Sequence, residues 1–212
     1  MKKSVCCLLL AAMLLLCLPA QADKLNDMQR RIQYGTLALY ENMVYGYSLG
    51  VYRRFVMADD DWTQSRLEEA DANYEEGDDR LYDIRAWYST DARYVIDIQV
   101  KEPTCASFEE EIANAPHYAE KIADGFSEEN HLRQLHDGIL RETPAGVMLE
   151  TAVAYEMIAD DGSEQTVVYV YYDIYLMGVE YCFCLYDYEG DYESAQIMLD
   201  AMMQTVSFGL SV

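Results

Sequence analysis

The clearest pattern in the chain is an alternation of apolar positions in its last third, between residues 147 and 188. From Val167 to Leu176, one face is aliphatic and aromatic, and the other carries three tyrosines, a valine and an aspartate. Period-two alternation predicts a strand, and apolar bulk on both faces predicts a strand that is covered on both sides. The turn Met177-Gly178 then leads into a return strand from Glu180 to Tyr188, because glycine accepts the positive φ of a tight hairpin.

A third strand and a closing helix complete this region. Residues 147–158 also alternate, and a polar turn at 159–163 joins them to the hairpin. Beyond Gly190 the apolar residues recur at helical spacing, at Ala195, Met198, Leu199, Met202 and Val206. Asp191 is the candidate N-cap of this helix. The pattern predicts a three-stranded antiparallel meander with one amphipathic helix across it.

The earlier part of the chain predicts further strands and helices. Residues 36–40 and 45–51 form one candidate strand pair, and residues 81–88 and 93–100 form a second hairpin. A capping box then starts a helix at Ser107. The order of elements predicts an α+β fold, with an antiparallel β-sheet of about six to eight strands and helices packed on its faces.

The first 22 residues carry the features of a signal peptide. Lys2 and Lys3 give a positive start, and Val5 to Leu18 is an apolar run shorter than most membrane spans. Ala20-Gln21-Ala22 then matches the small-x-small pattern of a cleavage site. We therefore assign residues 1–22 to a signal peptide and expect a secreted, extracellular protein.

The remaining residues, 23–212, suffice for a single α+β domain, which begins with a short helix at 24–33. After removal of the signal, no segment is long and apolar enough to span a bilayer. One alternative to free secretion is a lipid anchor at the cell surface. Leu14-Leu15-Leu16-Cys17 is faintly similar to a lipoprotein signal, in which Cys17 would be acylated.

Acidic residues outnumber basic ones by 38 to 15, which gives a formal net charge of −23. Such a charge repels phosphate backbones and anionic lipid, so it argues against nucleic-acid binding and against adsorption to membrane surfaces. It favours cationic partners or metal ions. A coat that keeps a secreted protein soluble is the plainer explanation of the same charge.

Three cysteines lie beyond the signal peptide, namely Cys105, Cys182 and Cys184. The last two share one strand face, so their side chains run parallel and bridge each other poorly. An odd number of cysteines is not a disulfide framework, and we expect buried free thiols. A bridge from Cys105 to one of the others and a two-cysteine metal site are the alternatives.

Tyrosine is the unusual feature of the composition, with 19 residues in the chain. Tyr169, Tyr171 and Tyr175 share one face of a predicted strand. Tyrosine provides a large amphipathic contact area at low entropic cost and is favoured at recognition surfaces. We therefore take these three residues as candidate ligand-binding residues. The alternative is that their rings form core beneath a helix.

Residues 57–79 show little periodicity and are predicted to form a surface excursion, with Trp62 and Leu67 as candidate anchors of a helical turn within it. Asp59, Asp60 and Asp61 form one run of carboxylates within it, and residues 75–79 hold a second run. Clustered carboxylates are hard oxygen ligands, so calcium is the one cofactor that the sequence suggests, with these aspartates as candidate metal ligands. Neither run has the spacing of an EF-hand loop, and a solvated loop without any cofactor is the alternative.

The chain carries no recognisable catalytic motif, whether a Gly-x-Ser-x-Gly elbow, a His-Glu-x-x-His pair, a P-loop or a dinucleotide fingerprint. His117, His131 and His136 stand in no known catalytic context and are interpreted as surface or hydrogen-bonded structural residues. A hydrolase that uses acidic residues is the enzymatic alternative. It would need two carboxylates held roughly 5–10 Å apart in a cleft.

Four scaffold segments follow one another along the chain: Gly46-Tyr47-Ser48-Leu49, the turn Thr143-Pro144-Ala145-Gly146, the hairpin from Val167 to Tyr188, and the closing segment from Tyr192 to Phe208. This order resembles the PsbP-like α/β/α sandwich superfamily, which includes bacterial secreted proteins and lipoproteins. The resemblance implies an antiparallel sheet between layers of helices. It also implies a protein that binds partners, because members share no catalytic centre, and it transfers no ligand residue to this chain.

Together these features predict a secreted, non-catalytic binding or accessory domain. Its unknown protein or glycan partner would be held by a tyrosine-rich, acidic surface. A secreted hydrolase and a calcium-linked binding module are the alternatives. The leading hypothesis requires that at least some of the three candidate tyrosines are exposed.

Overall fold

The computed structural model describes residues 35–72, 80–123, 131–158 and 162–209. The predicted signal peptide with its Cys17, the helix predicted at 24–33 and the carboxylate run at 75–79 lie outside these ranges.

Eleven strands and four α-helices occur in the described residues. The strands are β1 (Leu37–Asn42), β2 (Tyr47–Tyr52), β3 (Phe55–Met57), β4 (Leu81–Ser89), β5 (Tyr94–Lys101), β6 (His131–Gln134), β7 (Ile139–Thr143), β8 (Gly146–Ile158), β9 (Glu164–Leu176), β10 (Val179–Asp187) and β11 (Ser207–Phe208). The helices are α1 (Asp60–Ala72), α2 (Phe108–Asn114), α3 (Tyr118–Lys121) and α4 (Tyr192–Met203). A single 3₁₀ turn, Ala115–His117, connects α2 to α3.

An antiparallel sheet of eight strands forms the centre of the fold, in the order β3-β4-β5-β10-β9-β8-β6. β7 pairs with the first half of β8, and β6 pairs with its second half. A smaller antiparallel sheet has the order β1-β2-β11. The predicted α+β class, the number of strands in the main sheet and the meander β8-β9-β10 are therefore confirmed.

The hairpin β9–β10 has the register that its turn dictates. Met177 and Gly178 both have positive φ angles, 53° and 78°, as a two-residue type I′ turn requires. The pairing then runs without a break to the end of β10. It places Tyr169 opposite Tyr186, so odd-numbered residues of β9 share a face with even-numbered residues of β10.

The main hydrophobic core lies on one face of the large sheet, which we call the core face. β9 contributes the four residues that its alternation placed together, Val168, Val170, Tyr172 and Ile174. The helix α4 covers them with Ala195, Met198, Leu199, Met202 and Met203. The small sheet adds Tyr47 and Leu49 to the same core. The closing helix therefore lies across the meander, as predicted.

The opposite face of the large sheet, which we call the tyrosine face, is covered in part by the other helices. α1 packs against β4 at one side. At the other side, Phe108 and Tyr118 bring α2 and α3 against Tyr175 and Tyr171 of β9. β9 is therefore covered on both faces, which explains the apolar bulk on both sides of its sequence.

Two of the helices begin at the N-caps that the sequence predicts. The side chain of Asp191 accepts a hydrogen bond from the backbone NH of Ser194 at 3.0 Å, at the start of α4. The hydroxyl of Ser107 accepts one from the NH of Glu110 at 3.2 Å, at the start of α2. Each side chain satisfies a backbone donor that the first helical turn leaves without a partner.

Within the predicted surface excursion, residues 60–72 form the largely exposed helix α1, which is longer than the helical turn predicted around Trp62 and Leu67. Trp62 and Leu67 are the only large apolar residues of this helix, so its hydrophobic period is weak. Its packing on β4 decides the structure where the sequence pattern does not. No helix within the described ranges is both long and apolar enough to cross a membrane.

Met198→Ala is expected to lower the free energy of unfolding by about 2–5 kcal/mol, because the change leaves a cavity in the core. The Met198 side chain is fully buried, between α4 and the large sheet. Met177→Ala is the matched control, since Met177 is 98% exposed in the hairpin turn. Urea unfolding measures both variants, and equal losses would contradict the placement of α4 over the core.

Candidate functional site

The three candidate tyrosines all lie on the tyrosine face, and each is partly exposed. The rings of Tyr169 and Tyr171 stack, with centroids 6.4 Å apart and an interplanar angle of 10°. Tyr169 also meets the ring of Tyr186 on β10 edge-on, at 4.8 Å. Two of the three residues therefore belong to a continuous aromatic surface, and the hairpin register adds Tyr186 to it.

Tyr175 has a different place, because its hydroxyl is engaged in the fold. It accepts a hydrogen bond from the backbone NH of Cys105 at 3.1 Å and donates one to Glu111 at 3.2 Å. The ammonium of Lys121 also binds Glu111, at 3.0 Å. Burial raises the pKa of Tyr175. These contacts tie the segment before α2 and the end of α3 to the sheet.

A hollow of about 230 Å³ opens on the tyrosine face between α1 and strands β4, β5 and β10. Its aromatic lining consists of Trp62, Tyr88, Tyr186 and Tyr188. Tyr88 and Tyr188 are the most open of these tyrosines, at 37% and 41% exposure. The other lining residues are Arg66, Ile84, Ala86, Val95 and Asp97. We use the name tyrosine surface for the aromatic lining together with Tyr169 and Tyr171.

Asp97 contributes the carboxylate of this hollow and is almost fully buried. The hydroxyl of Tyr186 donates a hydrogen bond to it, and the amide of Gln99 lies 3.4 Å from its Oδ1. Burial raises the pKa of Asp97 to about 6, although both hydrogen bonds favour the ionised form. Arg66 also lines the hollow, and its positive charge acts on the carboxylate.

The hollow was not predicted from the sequence, because its residues come from separate elements of the fold. Two signals were present. Asp97 is a polar residue in the middle of a strand with apolar neighbours, and the predicted hairpin turn already placed Tyr186 opposite Tyr169. The pairing of β5 with β10, which sets Asp97 beside Cys184, joins segments that are distant in the chain. No local pattern specifies that pairing.

The candidate metal ligands lie at the start of α1 and are exposed. The side chain of Asp59 accepts a hydrogen bond from the backbone NH of Trp62 at 2.8 Å, which is the geometry of an N-cap. Asp60 and Asp61 occupy the first turn, where the helix dipole favours negative charge. Within the described ranges, no group of three or more His, Cys, Asp or Glu residues is arranged to hold a metal ion. Calcium binding by these aspartates stays a prediction.

Glu150 forms a second buried carboxylate cluster, on the core face of β8. Arg141 Nε lies 2.6 Å from it, and the hydroxyls of Tyr192 and Tyr172 lie at 2.7 and 3.0 Å. His136 Nε2 is 3.2 Å away. Burial alone would raise the pKa of Glu150, but these groups lower it to about 2. The carboxylate is fully buried and surrounded by hydrogen-bond donors, so its role is structural.

Asp173 is buried on the tyrosine face of β9 and has no nitrogen or oxygen donor among the described residues. Burial, together with the negative charge of Glu180, raises the pKa of Asp173 to about 7. A strand separates it from Asp97, and ordinary sheet spacings put the two Cα atoms about 12 Å apart. None of the described residues that line the hollow is a histidine. This arrangement gives the hydrolase alternative no specific support.

The three cysteines beyond the signal peptide are free in this structure. Cys182 and Cys184 are buried side by side on the tyrosine face of β10, and Cys105 is partly exposed. Burial raises the pKa of both strand thiols well above the usual value. The expectation of free thiols is confirmed, and those on β10 are buried in a thiol form that reacts poorly.

The arrangement of layers defines a class of protein, an antiparallel α/β/α sandwich with its main core under α4. No protein-family model matches the chain, and no curated protein matches it by sequence. Solved structures do match. One is cyanobacterial PsbP (CyanoP) from Synechocystis sp. PCC 6803, which is 10% identical and has a TM-score of 0.52. The alignment covers 82% of this chain and 92% of CyanoP.

Two further structures match less well. The Ran-binding protein Mog1p of Saccharomyces cerevisiae is 12% identical, with 81% of this chain and 95% of Mog1p covered and a TM-score of 0.47. LpqN of Mycobacterium tuberculosis, involved in cell envelope biogenesis, is 9% identical, with 82% and 90% covered and a TM-score of 0.45. The chain therefore has the PsbP-like α/β/α sandwich fold, as its sequence motifs predicted.

Asp173→Asn is expected to raise the melting temperature above about pH 8 and to have little effect near pH 4. The pKa of this carboxyl in the unfolded chain is about 3.9, whereas in the folded protein it is raised to about 7. Stability is therefore lost as the pH rises through this window, because the folded protein must then bury a charge. The amide carries no charge at any pH.

Calorimetry across this pH range measures the effect of Asp173→Asn. A gain of a few degrees is expected at alkaline pH, since 1 kcal/mol corresponds to roughly 2–4 °C for a chain of this size. Glu164→Gln, an exposed change on the same strand, is the control for the loss of one negative charge. An equal gain at both ends of the range would contradict a charge effect.

Asp59→Ala is expected to lower the free energy of unfolding by about 0.5–2 kcal/mol, the usual cost of a lost N-cap. If Asp59 acts as a cap only, millimolar calcium will leave the melting temperature of the wild type unchanged. Differential scanning fluorimetry with calcium or EDTA measures both effects. A calcium-dependent rise that Asp60→Ala or Asp61→Ala abolishes would instead support the calcium hypothesis, because a ligand that binds the folded state stabilises it.

Proposed function

We propose that this chain is a secreted, non-catalytic binding domain that holds a protein partner on its tyrosine surface. The observation that carries the proposal is the hollow, which is lined by partly exposed aromatic rings and has a carboxylate within it. Aromatic residues with a polar handle are enriched where proteins recognise partners. The predicted signal peptide supports export, and the PsbP-like fold is compatible with this role.

The tyrosine surface is suited to binding because its rings support one another. Tyr169 stacks on Tyr171 and meets Tyr186 edge-on, and Trp62 meets Tyr88 edge-on at 6.3 Å. Rings that are already held by neighbours lose little conformational freedom when a partner binds. Such a surface can contact a partner at a low entropic cost, which favours a role in binding over a purely structural role.

The dimensions of the hollow favour a protein partner over a glycan. Its volume of about 230 Å³ is below the roughly 300–1,000 Å³ of pockets that enclose drug-sized ligands. A single side chain of a partner would fit, with the surrounding rings as a flat contact area. The chain carries a net charge of −23, which favours a partner that is basic at this point.

A phage-displayed library of random peptides, selected on the immobilised wild-type protein, tests the proposal. Selected peptides are expected to lose roughly tenfold or more in affinity for Tyr88→Ala and for Tyr188→Ala, as is usual for aromatic anchors of an interface. Fluorescence polarisation measures the affinities. The matched control is Tyr82→Ala, because Tyr82 lies on the same strand as Tyr88 and is equally exposed, at 37%.

Three outcomes would overturn this proposal. The library could yield no binder, or its binders could bind Tyr88→Ala and Tyr188→Ala as tightly as the wild type. A parallel glycan array could also retain the wild-type protein, with retention lost in the same two variants. That last result would assign the surface to a sugar ligand instead.

A further inference from the structure

Asp97 has fewer hydrogen-bond and ionic partners than the buried carboxylate of Glu150. Glu150 is surrounded by an arginine, a histidine and two tyrosine hydroxyls. Asp97 has one strong donor, the Tyr186 hydroxyl, and one long contact to Gln99. Within the described residues no basic side chain forms an ion pair with Asp97. A buried carboxylate without a cationic partner is costly, so this position favours the arrival of one.

The groups that face Asp97 are suited to an organic cation. Trp62 of α1 and Tyr88 of β4 contribute two of its rings, and Tyr186 of β10 and Tyr188, just after β10, contribute the other two. The face of an aromatic ring attracts a cation, and the attraction grows where water is excluded. A planar guanidinium combines stacking on rings with two parallel hydrogen bonds to a carboxylate. The hollow offers both kinds of partner.

The chain's own Arg66 already places a guanidinium at the hollow. Its guanidinium projects from the exposed side of α1, lines the hollow and binds Glu69 at 2.6 Å. Burial raises the pKa of Asp97 and of Tyr88, and the charge of Arg66 opposes both shifts, so Arg66 lies within electrostatic reach of both groups. Arg66 is about half exposed and is held by a surface ion pair, which is worth little. It can therefore be displaced.

We infer that the hollow binds the guanidinium group of an arginine side chain presented by a partner protein, with Asp97 as its counter-charge and the rings of Trp62, Tyr88 and Tyr188 as its walls. This inference rests on the proposed binding function and names the chemistry of the partner at the centre of the tyrosine surface. Arg66 competes with the incoming arginine, since both carry the same charge to the same carboxylate.

The probe for this inference is Nα-acetyl-arginine methylamide, with the corresponding citrulline compound as its uncharged isostere. The readout is the indole NH signal of Trp62 in a two-dimensional ¹H–¹⁵N spectrum of the full chain. The chain has two tryptophans, and the second, Trp87, is buried in the core on the opposite face. Its signal is the internal reference. The titration is run at about pH 8, where Asp97 is ionised.

The arginine probe is expected to shift the Trp62 signal saturably and the citrulline probe to leave it unmoved. Asp97→Asn should weaken binding by roughly tenfold or more, because it removes a charged hydrogen-bond partner. Arg66→Ala should strengthen binding about threefold or more, because it removes a competing charge. Tyr82→Ala should bind as the wild type does. Opposite effects of Asp97→Asn and Arg66→Ala cannot arise from a general loss of folding.

The inference is overturned if citrulline binds as well as arginine, if Arg66→Ala weakens binding, or if Asp97→Asn binds as the wild type does. A melting curve of Asp97→Asn confirms that the variant is folded. The proposed function has a separate test in the selected peptides. Peptides whose binding depends on Tyr88 but not on Asp97 would support the proposed binding function and would contradict only the inference that the hollow binds an arginine.

Discussion

The structure depends on one constraint, which is that the hairpin β9–β10 must be covered on both faces. On the core face this is met by aliphatic and aromatic residues beneath α4. On the tyrosine face, short helices cover only the two sides of the sheet. Tyrosine suits such a face, because its ring buries apolar area while its hydroxyl reaches a polar partner. Tyr175 with Glu111, and Tyr186 with Asp97, are two cases of this.

The buried carboxylates separate the structural positions from the candidate functional one. Glu150 is enclosed by donors, which hold its pKa near 2, so its charge is fully used within the fold. Asp173 is buried, which raises its pKa to about 7, and it is not among the residues that line the hollow. Asp97 shares the burial of Asp173 but opens on a hollow. A buried carboxylate that lacks a cationic partner and also lines a hollow is a position where a ligand can supply that partner.

The sequence predicted the parts of this fold that local pattern controls. The strands β8, β9 and β10, the turn Met177-Gly178 and the amphipathic α4 follow from period and turn chemistry, and the motifs indicated the PsbP-like fold. α1 was predicted only as a helical turn around Trp62 and Leu67, because its polar sequence carries little period and only packing on β4 reveals its full length. The site was predicted in part. Tyr169 and Tyr171 lie in it, but the hollow depends on the pairing of β5 with β10, which no local signal encodes.

The PsbP-like fold fixes the sheet and its two faces, but at 10% identity to CyanoP it leaves the ligand to be argued from this chain's own residues. The floor of the hollow comes from the paired strands β4, β5 and β10. Trp62 and Arg66 come instead from α1, whose polar sequence is the least restricted by the core. A change on α1 can therefore alter what the hollow accepts while the sheet beneath keeps its structure. In the proposed binding role, partner choice and stability would therefore depend on different elements of the fold.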